Sequence, residues 1–337
     1  VADGHELWRA AVDECFRDSQ GPPGPRCTPV VVVDRVYAQS CRGELHCLSV
    51  ADGRKLWGAN FTRDFGAVFV GEKGNALGAT RHGNTGSPLI EGDLLLVSVG
   101  ATNGAGLVTF DKHTGAVKWK SGQEVAAYAP PVVSQTWQPA QEVNFRADAA
   151  LGFDAATGRQ LWRFPLKTAF ARHVMTPVLD ESENLVVLGS QPTGLLGIRL
   201  TRDGDTFVAQ ETWKRTEASP NFSSGFGLAR SYYGVGPSQN LVCVGLATGA
   251  LRWNQENWIS TSADRAHAAF IFDSTRALAL LDDGKLILWE PRPEGYRELG
   301  RVQVCAVNWC QPALSEGRLY VRDGLKATGQ LTCLELR

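Results

Sequence analysis

Three stretches of the chain place an arginine beside, or two residues before, a histidine: TRHGNTGSP with Arg81 and His82, ARHVMTP with Arg172 and His173, and DRAHAAF with Arg265 and His267. A guanidinium is a permanent cation with forked donors, and a neighbouring imidazole adds a group whose charge follows pH. Gathered around one opening, such residues would bind a carboxylate, a phosphate or an acidic segment of a partner. In the other reading the arginines are solvated or paired with carboxylates such as Asp64 and Asp264, and the histidines only pack. The choice depends on whether the three stretches occupy equivalent places in a larger framework.

That framework has to come from short strands. The 337 residues are 43% hydrophobic and carry 34 basic against 35 acidic groups, so the chain can bury a large core and has no net field to draw nucleic acid or an anionic membrane. Thirty-six glycines and β-branched runs such as PVVVVDRVYA and GDLLLVSVG point to many strands joined by tight turns. No apolar run approaches the roughly 18 residues of a membrane-spanning helix.

The strands repeat. LSVADGRKLW ends at Trp57, FDKHTGAVKW at Trp119, FDAATGRQLW at Trp162 and VGLATGALRW at Trp253, with worn copies ending at Trp213 and near Leu299. The four clear copies each place a glycine-containing turn four residues before the tryptophan. The glycine tolerates positive φ, and the Asp side chain can bond its own turn. Apolar strands lie upstream of every copy, so one unit is four antiparallel strands. A single such sheet cannot bury both faces, and sheets packed around an axis form a β-propeller. The chain opens with VADGHELW, a turn and last strand ending at Trp8, and closes with GQLTCLELR, which stops where such a turn should follow. The expectation is therefore one all-β domain spanning 1–337, a propeller of seven blades of about 48 residues in which the terminal strands share one blade.

These phrases resemble the quinoprotein-type (PQQ-like) propeller repeat. Within that superfamily GPRCTPVV, SPLIEGDLLLVSVGATNGAGLVTFDKHTGAVKW, RPEGYRELG and GRLYVRD are similar to bacterial secreted propellers related to the outer-membrane assembly lipoprotein BamB. The resemblance implies a periplasmic or extracellular protein, peripheral to a membrane at most, whose partners are other proteins of the cell envelope. It also supplies an eight-bladed alternative, since most such relatives carry a further N-terminal blade. Quinoprotein dehydrogenases would need adjacent cysteines over the quinone, a tryptophan floor, a catalytic aspartate and Ca²⁺ ligands. This sequence has no adjacent cysteine pair and no calcium-loop spacing. No cofactor, metal or catalytic residue is expected on that ground, and no hydrolase or phosphate-loop motif is present.

Of the eight cysteines, Cys47, Cys243 and Cys333 hold one repeat position and read as core. Cys15 with Cys27, and Cys305 with Cys310, flank loops that a disulfide would close, while Cys41 has no obvious partner. The insertion from Gly58 to Gly86 is longer than a propeller turn requires. Its Phe61, Phe65 and Phe69 either form an apolar lid or tuck onto the sheets. Trp309, between two cysteines, is the other candidate loop contact. The function expected is a non-enzymatic interaction scaffold or accessory subunit, with an anion-binding protein or a propeller enzyme using the basic mouth as the second reading.

Overall fold

The D-x-x-T-G turns close as their residues require. In the computed structural model, which describes residues 4–19, 24–73, 75–168, 171–220, 222–259, 266–324 and 329–336, Asp111 Oδ1 accepts the His113 and Thr114 amides, both at 3.0 Å. Gly115 then takes φ +75° and returns its amide to the Asp111 carbonyl at 2.9 Å. Asp154 and Gly158 repeat the arrangement. These backbone bonds hold the Asp111 carboxyl far below the usual carboxylate range.

The turns fix seven antiparallel sheets in succession, the blades of a seven-bladed β-propeller, and not eight. Two compact units divide them, Val1–His173 and Val174–Arg337. The first unit holds β1–β4 (Val30–Val32, Arg35–Gln39, Glu44–Ser49, Lys55–Asn60), β5–β8 (Leu89–Glu91, Leu94–Ala101, Ala105–Asp111, Val117–Ser121) and β9–β12 (Val132–Ser134, Gln141–Phe145, Ala149–Asp154, Gln160–Pro165). The second holds β13–β16 (Val178–Asp180, Leu185–Ser190, Gly194–Asp203, Thr206–Arg215), β17–β20 (Phe226–Leu228, Ser231–Val235, Leu241–Gly245, Leu251–Gln255), β21–β24 (Ala268–Phe272, Ala277–Leu281, Lys285–Glu290, Arg297–Gln303) and β25–β27 (Ala313–Ser315, Arg318–Arg322, Leu331–Glu335).

One register recurs. Cys47, Thr109, Gly152, Gly197 and Cys243 face Trp57, Trp119, Trp162, Trp213 and Trp253, and in each pair of strands a bulge follows at once. An extra residue there twists the outer strand and re-aims its indole. Trp57 Nε1 bonds Lys112 O at 3.1 Å and Trp119 Nε1 bonds Ala155 O at 3.2 Å, in each case the carbonyl three residues before the next sheet's turn glycine. Trp213 does the same to Leu246 at 2.8 Å. Apolar clusters fill much of the interior: Tyr37, Leu95, Val97 and Phe110 form one cluster of the first unit, and Tyr233, Ile287 and Trp289 belong to one of the second. Burying side chains of this size contributes about 2 kcal/mol each.

Three expectations are corrected. Among the described residues the last sheet has three strands, and Gly4–Trp8, expected to add its fourth, lie in no strand. Trp8 still takes the repeat position, with Nε1 on Val50 O at 2.7 Å and its ring against Gly53. Cys333 is exposed because β27 is an edge strand here, whereas Cys47 and Cys243 are buried. All eight cysteines are thiols. Cys27 turns to the Gln39 carbonyl at 2.9 Å while Cys15 is exposed beside Phe16, and Cys305 and Cys310 approach Asn308 and Arg322.

Candidate functional site

In the first unit the long insertion is built onto the sheets rather than held over them. Asn60 caps α1 (Phe61–Phe65) by accepting the Arg63 amide, Phe61 is buried, and Phe65 meets Phe110 edge-on at 5.8 Å. Phe69 packs on Phe16 at 5.5 Å. The chain then enters α2 (Ala79–His82), whose first amide bonds Ala126 O at 2.8 Å. Gly78 at φ +50° and Gly83 at φ +87° bracket this single turn. A Cβ on Gly78 would press on the Ala126 carbonyl oxygen, so glycine is what lets α2 seat there.

That seat places Arg81 and His82 in a polar cluster. His82 Nδ1 donates to Asp18 Oδ2 at 3.0 Å, and its Nε2 accepts from Arg81 Nε at 3.1 Å. Asp18, only 4% exposed at its side chain, is clasped by Arg26 at 2.8 and 2.5 Å. Glu72 stands 3.8 Å from His82 and accepts the Ser19 amide at 2.9 Å. Tyr128 packs against the His82 ring at 6.3 Å and donates its hydroxyl to Gly78 O at 2.9 Å. Burial pushes that hydroxyl up to about 12, while the positive fields of Arg81, Arg172 and Arg26 pull against the shift and Asp18 adds to it. Arg81 and Arg172 thus act on one phenol, with Arg172 exposed.

The histidine next to Arg172 has a different role. His173 is fully buried, stacked on Phe145 at 3.9 Å, with Nδ1 on Arg146 O at 2.5 Å and Nε2 facing Thr168 Oγ1 at 3.1 Å. Its own carbonyl accepts the Tyr128 and Ala129 amides, both at 3.0 Å. Burial drives its pKa down to about 4, so it is a neutral clamp. Both nitrogens are engaged, which leaves none for a ligand.

In the second unit Arg265 lies outside the described residues, as does Asp264. His267 is buried, and burial lowers its pKa to about 4. Trp309 is half-buried, 6.3 Å from the His267 ring and 5.6 Å from Phe222. A separate open cavity of about 330 Å³ is lined by Glu217, Ser238, Asn240, Asn254, Glu256 and their loop neighbours, an amide and carboxylate lining with no cation.

Among the described residues, one group could hold a metal ion. Donor atoms of Asp18, Glu72 and His82 all lie within 4.8 Å of one another. Both Asp18 oxygens already bond Arg26, and Arg81 abuts His82, so a cation there would have to displace a guanidinium and face another. The cluster suits an anion outside it better than a cation within. Asp18, Arg26 and Tyr128 were not legible in the sequence, because their contacts to His82 of α2 bridge 46 to 64 residues and follow no motif.

The model of the family described as outer membrane protein assembly factor BamB matches residues 1–255. The chain belongs to the BamB family. A comparison with curated proteins finds no match. Among solved structures the chain is similar to BamB from Moraxella catarrhalis (14% identity, TM-score 0.45, covering 92% of this chain and 96% of that one). It is also similar to the computationally designed Ika8 protein (12%, 0.59, 94% and 83%). A third is the quinohemoprotein alcohol dehydrogenase from Comamonas testosteroni (11%, 0.56, 89% and 63%), of which this chain spans less than two thirds. The last two likenesses concern the fold alone. No two cysteines of this chain are adjacent in sequence.

Proposed function

We propose that this BamB-family chain is a non-enzymatic interaction scaffold, an accessory subunit of a protein complex of the cell envelope, acting in the periplasm or outside the cell. The observation that carries the reading is the cationic patch of Arg81 and Arg172 around Tyr128, beside exposed Val68, Val70 and Leu77. Val70 and Leu77 are tied to Thr80, the residue before Arg81. A patch that is positive at one end and apolar at the other suits an extended acidic segment of a partner protein carrying apolar residues. No helix among the described residues is long and apolar enough to cross a membrane.

The test is cross-linking in the native cells followed by purification of the tagged full chain, with the Arg81→Glu, Arg172→Glu double variant as control. One acidic partner cross-linked through residues 68–82 in the wild type, and lost in the variant, supports the scaffold. Dye-linked alcohol oxidation after addition of PQQ and Ca²⁺ overturns it. So does saturable binding of inorganic phosphate at the arginines with no protein partner, which makes the patch a small-anion site.

A further inference from the structure

Strand β10 breaks a rule that its counterparts keep. Tyr37, Leu96, Val143, Val187, Tyr233 and Tyr320 pair with Cys47, Thr109, Gly152, Gly197, Cys243 and Cys333, positions that the repeat equates. One residue before these stand Val36, Leu95, Val186, Tyr232 and Leu319, but in β10 Glu142. One residue after stand Ala38, Val97, Leu188, Gly234 and Val321, but in β10 Asn144. Arg146 follows on the same face. Glu142, Asn144 and Arg146 are all buried to 1% exposure or less.

The neighbouring sheet is shaped for them. Asn144 Nδ2 donates to Ser98 Oγ at 2.9 Å and to Glu142 Oε1 at 3.0 Å. Gly106 gives the guanidinium its room, since a Cβ there would stand 2.5 Å from Arg146 Nη2. Beyond it Glu124 and Asp148 share Arg163 at 3.3 and 3.0 Å. Glu142 Oε2 and all three Arg146 nitrogens are buried without a hydrogen-bond partner, an arrangement whose energy responds strongly to one charge because no solvent screens it. The Arg146 carbonyl holds His173, and His173 holds the Tyr128 and Ala129 amides.

We propose that Glu142, Asn144 and Arg146 form a proton-sensitive joint between the second and third sheets, which loosens the His173 and Tyr128 segments when Glu142 loses its proton. The groups facing the row are Ser98, Glu124, Asp148, Arg163 and the neutral His173. Burial holds the Glu142 carboxyl protonated up to about 8 and lowers Arg146 only to about 10, still charged at neutrality. An unfolded glutamate titrates near 4.5. Between those values Glu142 therefore holds up to one more proton in the folded chain than in the unfolded one, and through this group each pH unit upward lowers the folding equilibrium constant by up to about tenfold. The joint does not depend on what binds Arg172.

Hydrogen exchange at the Tyr128 and Ala129 amides of the full chain, corrected for intrinsic rate, tests this between pH 7 and 8.5, above the range in which the histidines of the unfolded chain titrate. Wild type should open up to about tenfold more per pH unit, and Glu142→Gln should be nearly flat. Parallel profiles in the two proteins overturn the proposal. If Glu142→Gln does not fold, the ¹³C-carboxyl titration of Glu142 in the wild type decides instead: a midpoint near 8 supports the joint, and one in the ordinary glutamate range overturns it.

Discussion

The Trp57 indole lies across Gly115 of the neighbouring sheet, so close that a Cβ on this glycine would stand 2.6 Å from the ring. The same glycine holds φ +75°. Gly115→Ala therefore meets two penalties, a left-handed backbone and a displaced indole, and should lower stability by about 2–4 kcal/mol. Gly104, at φ +93° with nothing within 4 Å of its Cβ direction, meets only the first. Urea unfolding should show Gly115→Ala well below Gly104→Ala, and equal losses would remove the role given to the ring.

Trp8 should matter more than its place near the chain start suggests. Its Nε1 bonds Val50 O and its ring rests on Gly53, whereas Leu7 beside it is 83% exposed. Trp8→Ala should cost about 2 kcal/mol and Leu7→Ala less than about 0.5 kcal/mol. Thermal melts of the two variants distinguish docking of this segment from a frayed end.

The two buried histidines predict acid sensitivity. His173 and His267 have folded pKa values near 4, below the ordinary 6.5, so the unfolded chain binds more protons between those values. Stability contributed by each neutral ring is present above pH 6.5 and lost as pH falls toward 4, up to about 3 kcal/mol per histidine. Glu142 acts in the opposite direction in part of this range, so the readout is the difference between wild type and His173→Gln or His267→Gln. Each difference should shrink as pH falls from 7 to 4, and a constant difference would refute the shift.

At the cationic patch, Arg172→Ala should weaken binding of a polyglutamate peptide about fivefold, near 1 kcal/mol, and reduce the salt dependence of binding. Arg63, already paired with Asp64 at 2.7 Å, serves as the control. Calorimetry at two salt concentrations reads both effects. Equal loss in Arg63→Ala would show a general charge effect in place of a site.

The repeat was legible because its two largest constraints, a left-handed glycine and a tryptophan, the latter a rare residue type, are held at fixed spacing. That Cys47 and Cys243 hold one repeat position was readable for the same reason, while their place opposite the tryptophans comes from the strand pairing. His173 was misleading. An Arg-His pair in a loop reads the same whether the imidazole faces solvent or, as here, turns inward onto Phe145 and the Arg146 carbonyl. Tyr128 and Arg26 were hidden because their partners are set by packing rather than by sequence separation. The polar row of β10 was visible in QEVNFR as an exception to apolar strands, but only strand pairing shows that Glu142 and Asn144 stand where other sheets place apolar residues.

The bond from Trp57, Trp119 and Trp213 to a carbonyl three residues before the next glycine has an evolutionary consequence. Each segment carries an indole together with a turn that receives the preceding sheet's indole, as Trp119 and Gly115 do, so a tandem duplication copies the plug together with a socket. A newly added unit would need no invented interface to join its neighbours, and drift could then reshape loops such as the α1–α2 insertion while the joinery stayed the same.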